Sequence, residues 1–75
     1  MDKLQKEKVK MWEDKLIALE KEYESLMGQR EDAAEMGDLH ENAAYQMLTE
    51  QVEVVSARIG ETKKIIKDLK GESSE

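Results

Sequence analysis

Apolar side chains recur at alternating three- and four-residue intervals in both halves of the chain, and this spacing predicts two helices. The first series consists of Val9, Trp12, Leu16, Leu19, Tyr23, Leu26 and Ala33. The second series consists of Tyr45, Leu48, Val52, Val55, Ile59, Thr62, Ile66 and Leu69. Positions spaced in this way lie along one side of an α-helix, as in a coiled coil. We therefore expect one helix over about residues 3–36 and another over about residues 39–70.

The connection between the two predicted helices is short, so the second helix must fold back along the first. The expected fold class is all-α, an antiparallel two-helix coiled-coil hairpin with a short acidic turn near residues 37–38. This hairpin forms a single domain over residues 1–70, and residues 71–75 are expected to fray. We call the end with the turn the closed end, and the end that holds both termini the open end.

The predicted turn carries signals for both helix ends. Gly37 can adopt a left-handed conformation after the last turn of the first helix. Asp38 can accept a hydrogen bond from a free backbone N–H of the second helix, and Glu41 stands three residues later, so the pair reads as a capping box. His40 is interpreted as an exposed turn residue. Arg30, on the seam near the turn, is expected to pair with Glu41 or a neighbouring acid and so to aim that carboxylate.

Composition agrees with exposed helices and argues against several classes of protein. The 75 residues include no proline and no cysteine, and 40% of them are charged. Without cysteine there is no disulfide framework and no thiolate chemistry. No stretch approaches the roughly 18–20 apolar residues of a membrane span, and the N-terminus lacks the apolar core of a signal peptide. We expect a cytoplasmic protein without a membrane partner.

The net charge of −6 comes from the middle of the chain. No lysine or arginine lies between Arg30 and Arg58, and the acidic residues of that stretch are Glu31, Asp32, Glu35, Asp38, Glu41, Glu50 and Glu53. The open end is expected to hold Lys3, Lys6, Lys8, Lys10, Lys63, Lys64, Lys67 and Lys70. The hairpin is thus expected to be basic at the open end and acidic at the closed end. An acidic total argues against phosphate-driven binding to duplex DNA, and we expect no direct sequence-specific DNA binding.

No catalytic constellation is evident, and we do not expect an enzyme. There is one histidine and no cysteine, and neither a glycine-rich phosphate loop nor a zinc-ligand spacing occurs. Asp38 and Glu41 are candidate ligands of Mg²⁺, which keeps several waters and is often completed by ligands from another molecule. A carboxylate there could also orient a metal-bound water. The capping box explains the same two residues without a metal, and the two interpretations are not exclusive.

Residues 37–45 resemble the tip signature of a bacterial protein family. They read GDLHENAAY, and the tip of the Gre (GreA/GreB) transcript-cleavage factors reads GDLxENAxY. In the second half of the chain, Glu50-Gln51 and Arg58-Ile59 fall where that family tends to have Glu-Gln and Arg-Ile. The resemblance covers most of the chain as the N-terminal coiled-coil domain of a Gre factor. Its specificity lies in residues 37–45, which we call the tip motif.

The resemblance implies a function in transcription elongation. Gre factors insert this coiled coil through the secondary channel of RNA polymerase, and their acidic tip helps to hold the second Mg²⁺ and the attacking water. The polymerase then cuts the 3′ end of a backtracked RNA. Asp38 and Glu41 match the acidic tip residues, so they are expected to assist this catalysis and to share Mg²⁺ with the polymerase, with low affinity alone. The other expected partner contacts are Gly37, Leu39, Asn42 and Tyr45.

In this interpretation the chain has no cofactor of its own and contacts the 3′ end of the nascent RNA only indirectly. Gre factors also carry a C-terminal globular domain that docks on the polymerase. We expect the hairpin alone to bind polymerase weakly or to use another anchor.

Two further interpretations are open. Ala44 stands where many Gre factors have a third acidic residue, which fits a regulator that occupies the polymerase channel without stimulating cleavage. The helical seam alone would also suit a self-associating interaction module, such as a homodimer that forms a four-helix bundle.

Overall fold

The computed structural model describes residues 1–37 and 41–71, and these residues form two helices. Helix α1 spans Lys3–Ala34 and helix α2 spans Ala43–Leu69. The two helices run antiparallel, since the start of α1 meets the end of α2 and the end of α1 meets the start of α2. The molecule measures 54 × 24 × 12 Å, and no strand occurs within the two described ranges. The expected all-α hairpin is confirmed.

A single seam of apolar side chains holds α1 against α2. Its centre consists of Leu19, Leu26, Val52 and Val55. Partly buried side chains pack around this centre, namely Tyr23, Met27, Leu48 and Ile59. Even Val55, among the most buried side chains, keeps 4% of its surface exposed. Two helices alone form one layer of contacts with water on both sides, so the core is thin.

Polar contacts hold the open end together. Asp2 caps α1 by accepting a hydrogen bond from the backbone N–H of Gln5 at 2.7 Å. The side-chain amide of Gln5 donates to the backbone oxygen of Leu69, one of the last carbonyls of α2, which have no partner within their own helix. Lys70 Nζ lies 3.2 Å from the carboxylate of Glu13. These contacts fix where the end of α2 lies against α1.

The connection between the helices is longer than the sequence pattern predicts. Helix α1 ends at Ala34 rather than near residue 36, and α2 begins at Ala43 rather than near residue 39. The N-cap residue of α2 is Asn42, so the predicted capping box of Asp38 and Glu41 does not mark the start of this helix. Asparagine and aspartate are about equally good N-caps, and only asparagine also carries an N–H donor. Asp38 lies outside the described residues, as do residues 39–40.

Glycines stand just beyond the C-terminal ends of both helices. Gly37 has a φ of +138° and Gly71 has a φ of +74°, values that residues with a side chain rarely adopt. The predicted left-handed conformation of Gly37 agrees with its positive φ, but the C-cap residue of α1 is Glu35, so Gly37 stands one position beyond the expected C′ site. Of the tail that was expected to fray, residues 72–75 lie outside the described residues.

Truncation of the seam should destabilise the hairpin much more than truncation of its outer surface. We expect Leu19→Ala, at a side chain that is 8% exposed, to lower the free energy of unfolding by about 2 kcal/mol, because it leaves a gap between the helices. Ile17→Ala, at a side chain that is 51% exposed, should change it by less than about 0.5 kcal/mol. Urea unfolding followed by circular dichroism measures both. Equal losses would contradict the assignment of the seam.

Candidate functional site at the closed end

The side chain of Asn42 joins the end of α1 to the start of α2. Its Nδ2 donates a hydrogen bond to the backbone oxygen of Ala33 at 2.6 Å. Its Oδ1 accepts one from the backbone N–H of Tyr45 at 3.0 Å. The last carbonyls and the first N–H groups of a helix lack partners within the helix. One amide therefore caps a free N–H of α2 and gives a second donor to the Ala33 oxygen, which also accepts from the backbone N–H of Met36 at 3.1 Å. The amide is partly buried while doing so. We call the two hydrogen bonds of the Asn42 side chain the Asn42 clamp.

Arg30 and Tyr45 form a second contact across the closed end. The guanidinium carbon of Arg30 lies 5.8 Å from the centroid of the Tyr45 ring, in a cation–π arrangement. Both side chains are partly buried. Within residues 1–37 and 41–71, the ion pairs are Lys10–Asp14 and Lys70–Glu13. The predicted ion pair between Arg30 and Glu41 is therefore not formed, because the guanidinium lies against an aromatic ring on the seam instead.

Glu41 is exposed and directly precedes the Asn42 clamp. The clamp fixes the backbone at residue 42, so it also limits where the Cα atom of Glu41 can lie. The carboxylate itself is free to turn into solvent or towards a partner. Asp38 and Leu39, the other predicted tip residues, lie outside the described residues. Of the predicted contacts, Gly37 is exposed, whereas Asn42 and Tyr45 are partly buried in the clamp and the Arg30 contact.

The closed end carries unneutralised negative charge. Glu31, Asp32 and Glu35 are exposed at the end of α1, and the last turn of that helix has no basic residue. The macrodipole of α1 disfavours acids there by a few tenths of a kcal/mol each, although solvent weakens the effect. The exposed Glu41 adds to the same patch. A patch of one sign attracts positively charged groups and metal-bearing surfaces over several ångströms.

The closed end does not by itself assemble a complete metal site from its described residues. Within those residues, no three acidic or histidine side chains converge on one point. A single exposed carboxylate such as that of Glu41 binds Mg²⁺ weakly, since this ion is usually held by several oxygen ligands and its own waters. A cation at this end would need further ligands in addition to Glu41.

The structural role of Asn42 is the feature that the sequence analysis missed. Asn42 was proposed as a partner contact, and the hydrogen bonds of its side chain to both helices were not foreseen. The spacing held a usable signal: Asn42 stands three residues before Tyr45, as an N-cap residue stands before the N–H group that it caps. What the sequence could not show is that Ala33 offers its carbonyl at the right distance.

Comparison of the chain with models of protein families, with curated proteins and with solved structures finds no match. The resemblance to the Gre factors therefore rests on the tip motif and on the residues of α2 named above. No helix among the described residues is long and apolar enough to cross a membrane.

Loss of the Asn42 clamp should loosen the closed end. We expect Asn42→Ala to lower the free energy of unfolding by about 1–2 kcal/mol, because it removes an N-cap and one of the two donors to the Ala33 carbonyl. Asn42→Ser should cost less, since serine keeps the cap but is too short to reach Ala33. Urea unfolding of the three proteins gives this order. An Asn42→Ala protein as stable as the parent would show that the clamp contributes nothing.

The contact between Arg30 and Tyr45 should be measurable as an energetic coupling. In a double-mutant cycle of Arg30→Met and Tyr45→Leu, we expect a coupling of about 0.5 kcal/mol, typical of a partly exposed cation–π pair. The cycle of Arg30→Met with Glu41→Gln is the matched control and should give a coupling near zero. A larger coupling with Glu41 than with Tyr45 would restore the ion pair that the sequence predicted.

Proposed function

We propose that this chain acts as a Gre-type hairpin, which inserts its closed end into the secondary channel of RNA polymerase and stimulates cleavage of backtracked RNA. One observation carries the proposal: the tip motif, GDLHENAAY, spans the closed end of an acidic, narrow hairpin. In this proposal the polymerase is the enzyme and the chain is not. The chain works in the cytoplasm and meets the 3′ end of the nascent RNA only through the polymerase.

The shape of the molecule supports this proposal. A rod 54 Å long and 12 Å thick in its smallest dimension can carry a small group of side chains from the surface of a large enzyme to a buried site. The Gln5 and Lys70 contacts at one end and the Asn42 clamp at the other hold the two helices in register. A rod that keeps its register delivers its end residues to a defined place, which is what assistance at an active site requires.

The chemistry of the closed end supports it as well. In a two-metal site, added carboxylate oxygens can complete the coordination of the second Mg²⁺ and orient the attacking water. Asp38 and Glu41 are the proposed carboxylates, and Mg²⁺ would be held jointly with the polymerase. Glu41 is exposed and directly precedes the Asn42 clamp, so its backbone is held at the hairpin end while its carboxylate can turn towards a partner. The surrounding acids would favour entry into a cation-bearing centre.

A second candidate function is a regulator that occupies the channel without stimulating cleavage. Ala44 favours this candidate, since it is exposed at a position where many Gre factors carry a third acid. The two candidates differ in a competition assay. A non-cleaving regulator would inhibit a genuine cleavage factor in stalled complexes and would give no cleavage of its own.

The proposal is tested by RNA cleavage in backtracked polymerase complexes. We expect the purified chain, at high concentration, to accelerate cleavage, and we expect the double variant Asp38→Asn/Glu41→Gln to abolish the acceleration. The double variant Asp32→Asn/Glu35→Gln is the matched control, because it removes the same charge from the closed end but leaves the tip motif intact.

The control should retain most of the acceleration, and circular dichroism should show the same helicity for all three proteins. If the tip variant cleaves as fast as the parent, the carboxylates have no such role. If both variants lose activity equally, the general negative charge matters rather than the two proposed ligands.

A further inference from the structure

We infer that one face of the hairpin is the interface for a second copy of this chain, which packs antiparallel to form a four-helix bundle. The inference goes beyond the proposed function and does not depend on it. It begins with exposed apolar side chains that the seam between α1 and α2 does not use. Such side chains are Leu4 and Met11 on α1, and Met47 and Val54 on α2.

These side chains share one face of the molecule. Leu4 and Met11 are seven residues apart, as are Met47 and Val54, and residues one heptad apart lie on the same side of a helix. Met47 and Val54 line a groove between the helices together with Leu26 of the seam. We call the surface formed by this groove and by Leu4 and Met11 the apolar face.

The groove continues towards the open end. A second depression, lined by Trp12, Lys15 and Ile65, adjoins the first at Arg58, which lines both. Lys15 stands four residues after Met11, so the two lie on the same side of α1. The apolar face therefore follows most of the length of the hairpin rather than forming an isolated spot.

The groove on the other side of the hairpin differs in its apolar lining, since it contains none of the exposed large apolar side chains, whereas the first groove contains Met47 and Val54. Around Tyr23 and Ile59 it is lined by Glu20, Glu24 and Lys63. Two helices packed in one layer leave both sides of the seam exposed, and a second layer is the usual way to cover the more apolar side. The difference between the two grooves indicates which side a second layer would cover.

The distribution of charge along the hairpin favours a second copy of the chain as the partner, in the antiparallel orientation. The lysines at the open end and the acids at the closed end make each hairpin a rod with opposite charge at its two ends. A parallel pair would bring acid to acid and lysine to lysine. An antiparallel pair places the closed end of each copy beside the open end of the other, which is the complementary arrangement.

The same orientation places individual charges opposite each other. We place a two-fold axis across α2 near Val54. A residue that stands a given number of positions before Val54 in one copy then lies opposite the residue that stands the same number of positions after Val54 in the other copy. Arg58 of one copy then faces Glu50 of the other, and both residues line the groove. Val54 is also within two residues of the midpoint of α2, which spans Ala43–Leu69, so the copies overlap along most of their length. In an isologous interface this pairing occurs twice.

A stable interface usually buries about 800 Å² on each partner. The whole hairpin extends 54 × 24 Å in its two largest directions, so one of its broad sides has room for a patch of this size. The bundle would also cover the exposed side of the seam, whose residues remain partly accessible in the single hairpin.

The oligomeric state in solution tests the inference. We expect sedimentation equilibrium of the purified chain to fit a reversible dimer, and Val54→Lys to weaken self-association by about tenfold or more. Ile17→Lys is the matched control, since Ile17 has the same 51% exposure as Val54 but lines neither groove of the apolar face. It should leave the dimer unchanged. Because both side chains are exposed, neither variant should unfold the hairpin, and circular dichroism checks this.

Charge reversal distinguishes the orientations. We expect Arg58→Glu and Glu50→Arg each to weaken the dimer, because each puts like charges opposite one another in the antiparallel pair. The double variant Arg58→Glu/Glu50→Arg should restore self-association. A chain that stays monomeric at millimolar concentration would overturn the inference, as would equal effects of Val54→Lys and Ile17→Lys. A dimer that the double variant does not restore would overturn the antiparallel arrangement.

Discussion

The single apolar seam between α1 and α2 is the constraint on which the rest of the structure depends. Two helices in one layer cannot enclose their core, and even Val55 in the centre of the seam keeps some exposure. Hydrophobic burial alone is weak in so small a structure. The few polar contacts at the two ends therefore contribute strongly to the stability and register of the helix pair, because they prevent the helices from separating at their ends and from sliding along each other.

The two helices could be predicted from the sequence because the apolar spacing that lets them pack together is visible there. Heptad-like spacing follows directly from the geometry of one helix packed against another, and it placed both helices correctly in their central parts. The start of α2 was predicted too early because Asp38 and Asn42 are both competent N-caps. The choice depends on the Ala33 carbonyl, a tertiary contact that propensity does not contain. Arg30 posed a similar problem, since a guanidinium can bind either an acid or an aromatic ring.

The candidate site was predicted only in outline. Exposure of Glu41 and the acidity of the closed end could be read from the sequence, because helix ends rich in charged residues face water. The engagement of Asn42 with both helices could not. The apolar face was missed for a different reason. Met47 and Val54 are also spaced by one heptad, but the prediction assigned only one apolar series to each helix, the one that forms the seam. We thus propose self-association for one surface of the hairpin and, for the single hairpin released from that reversible dimer, polymerase binding through its closed end.

We propose that carboxylates at the closed end share a magnesium ion with RNA polymerase. The most direct measurement is the Mg²⁺ dependence of RNA cleavage in backtracked complexes, with and without the chain. We expect the chain to lower the Mg²⁺ concentration that gives half-maximal cleavage, because it supplies ligands to the second ion. An unchanged Mg²⁺ dependence, with or without a change in the maximal rate, would contradict the claim.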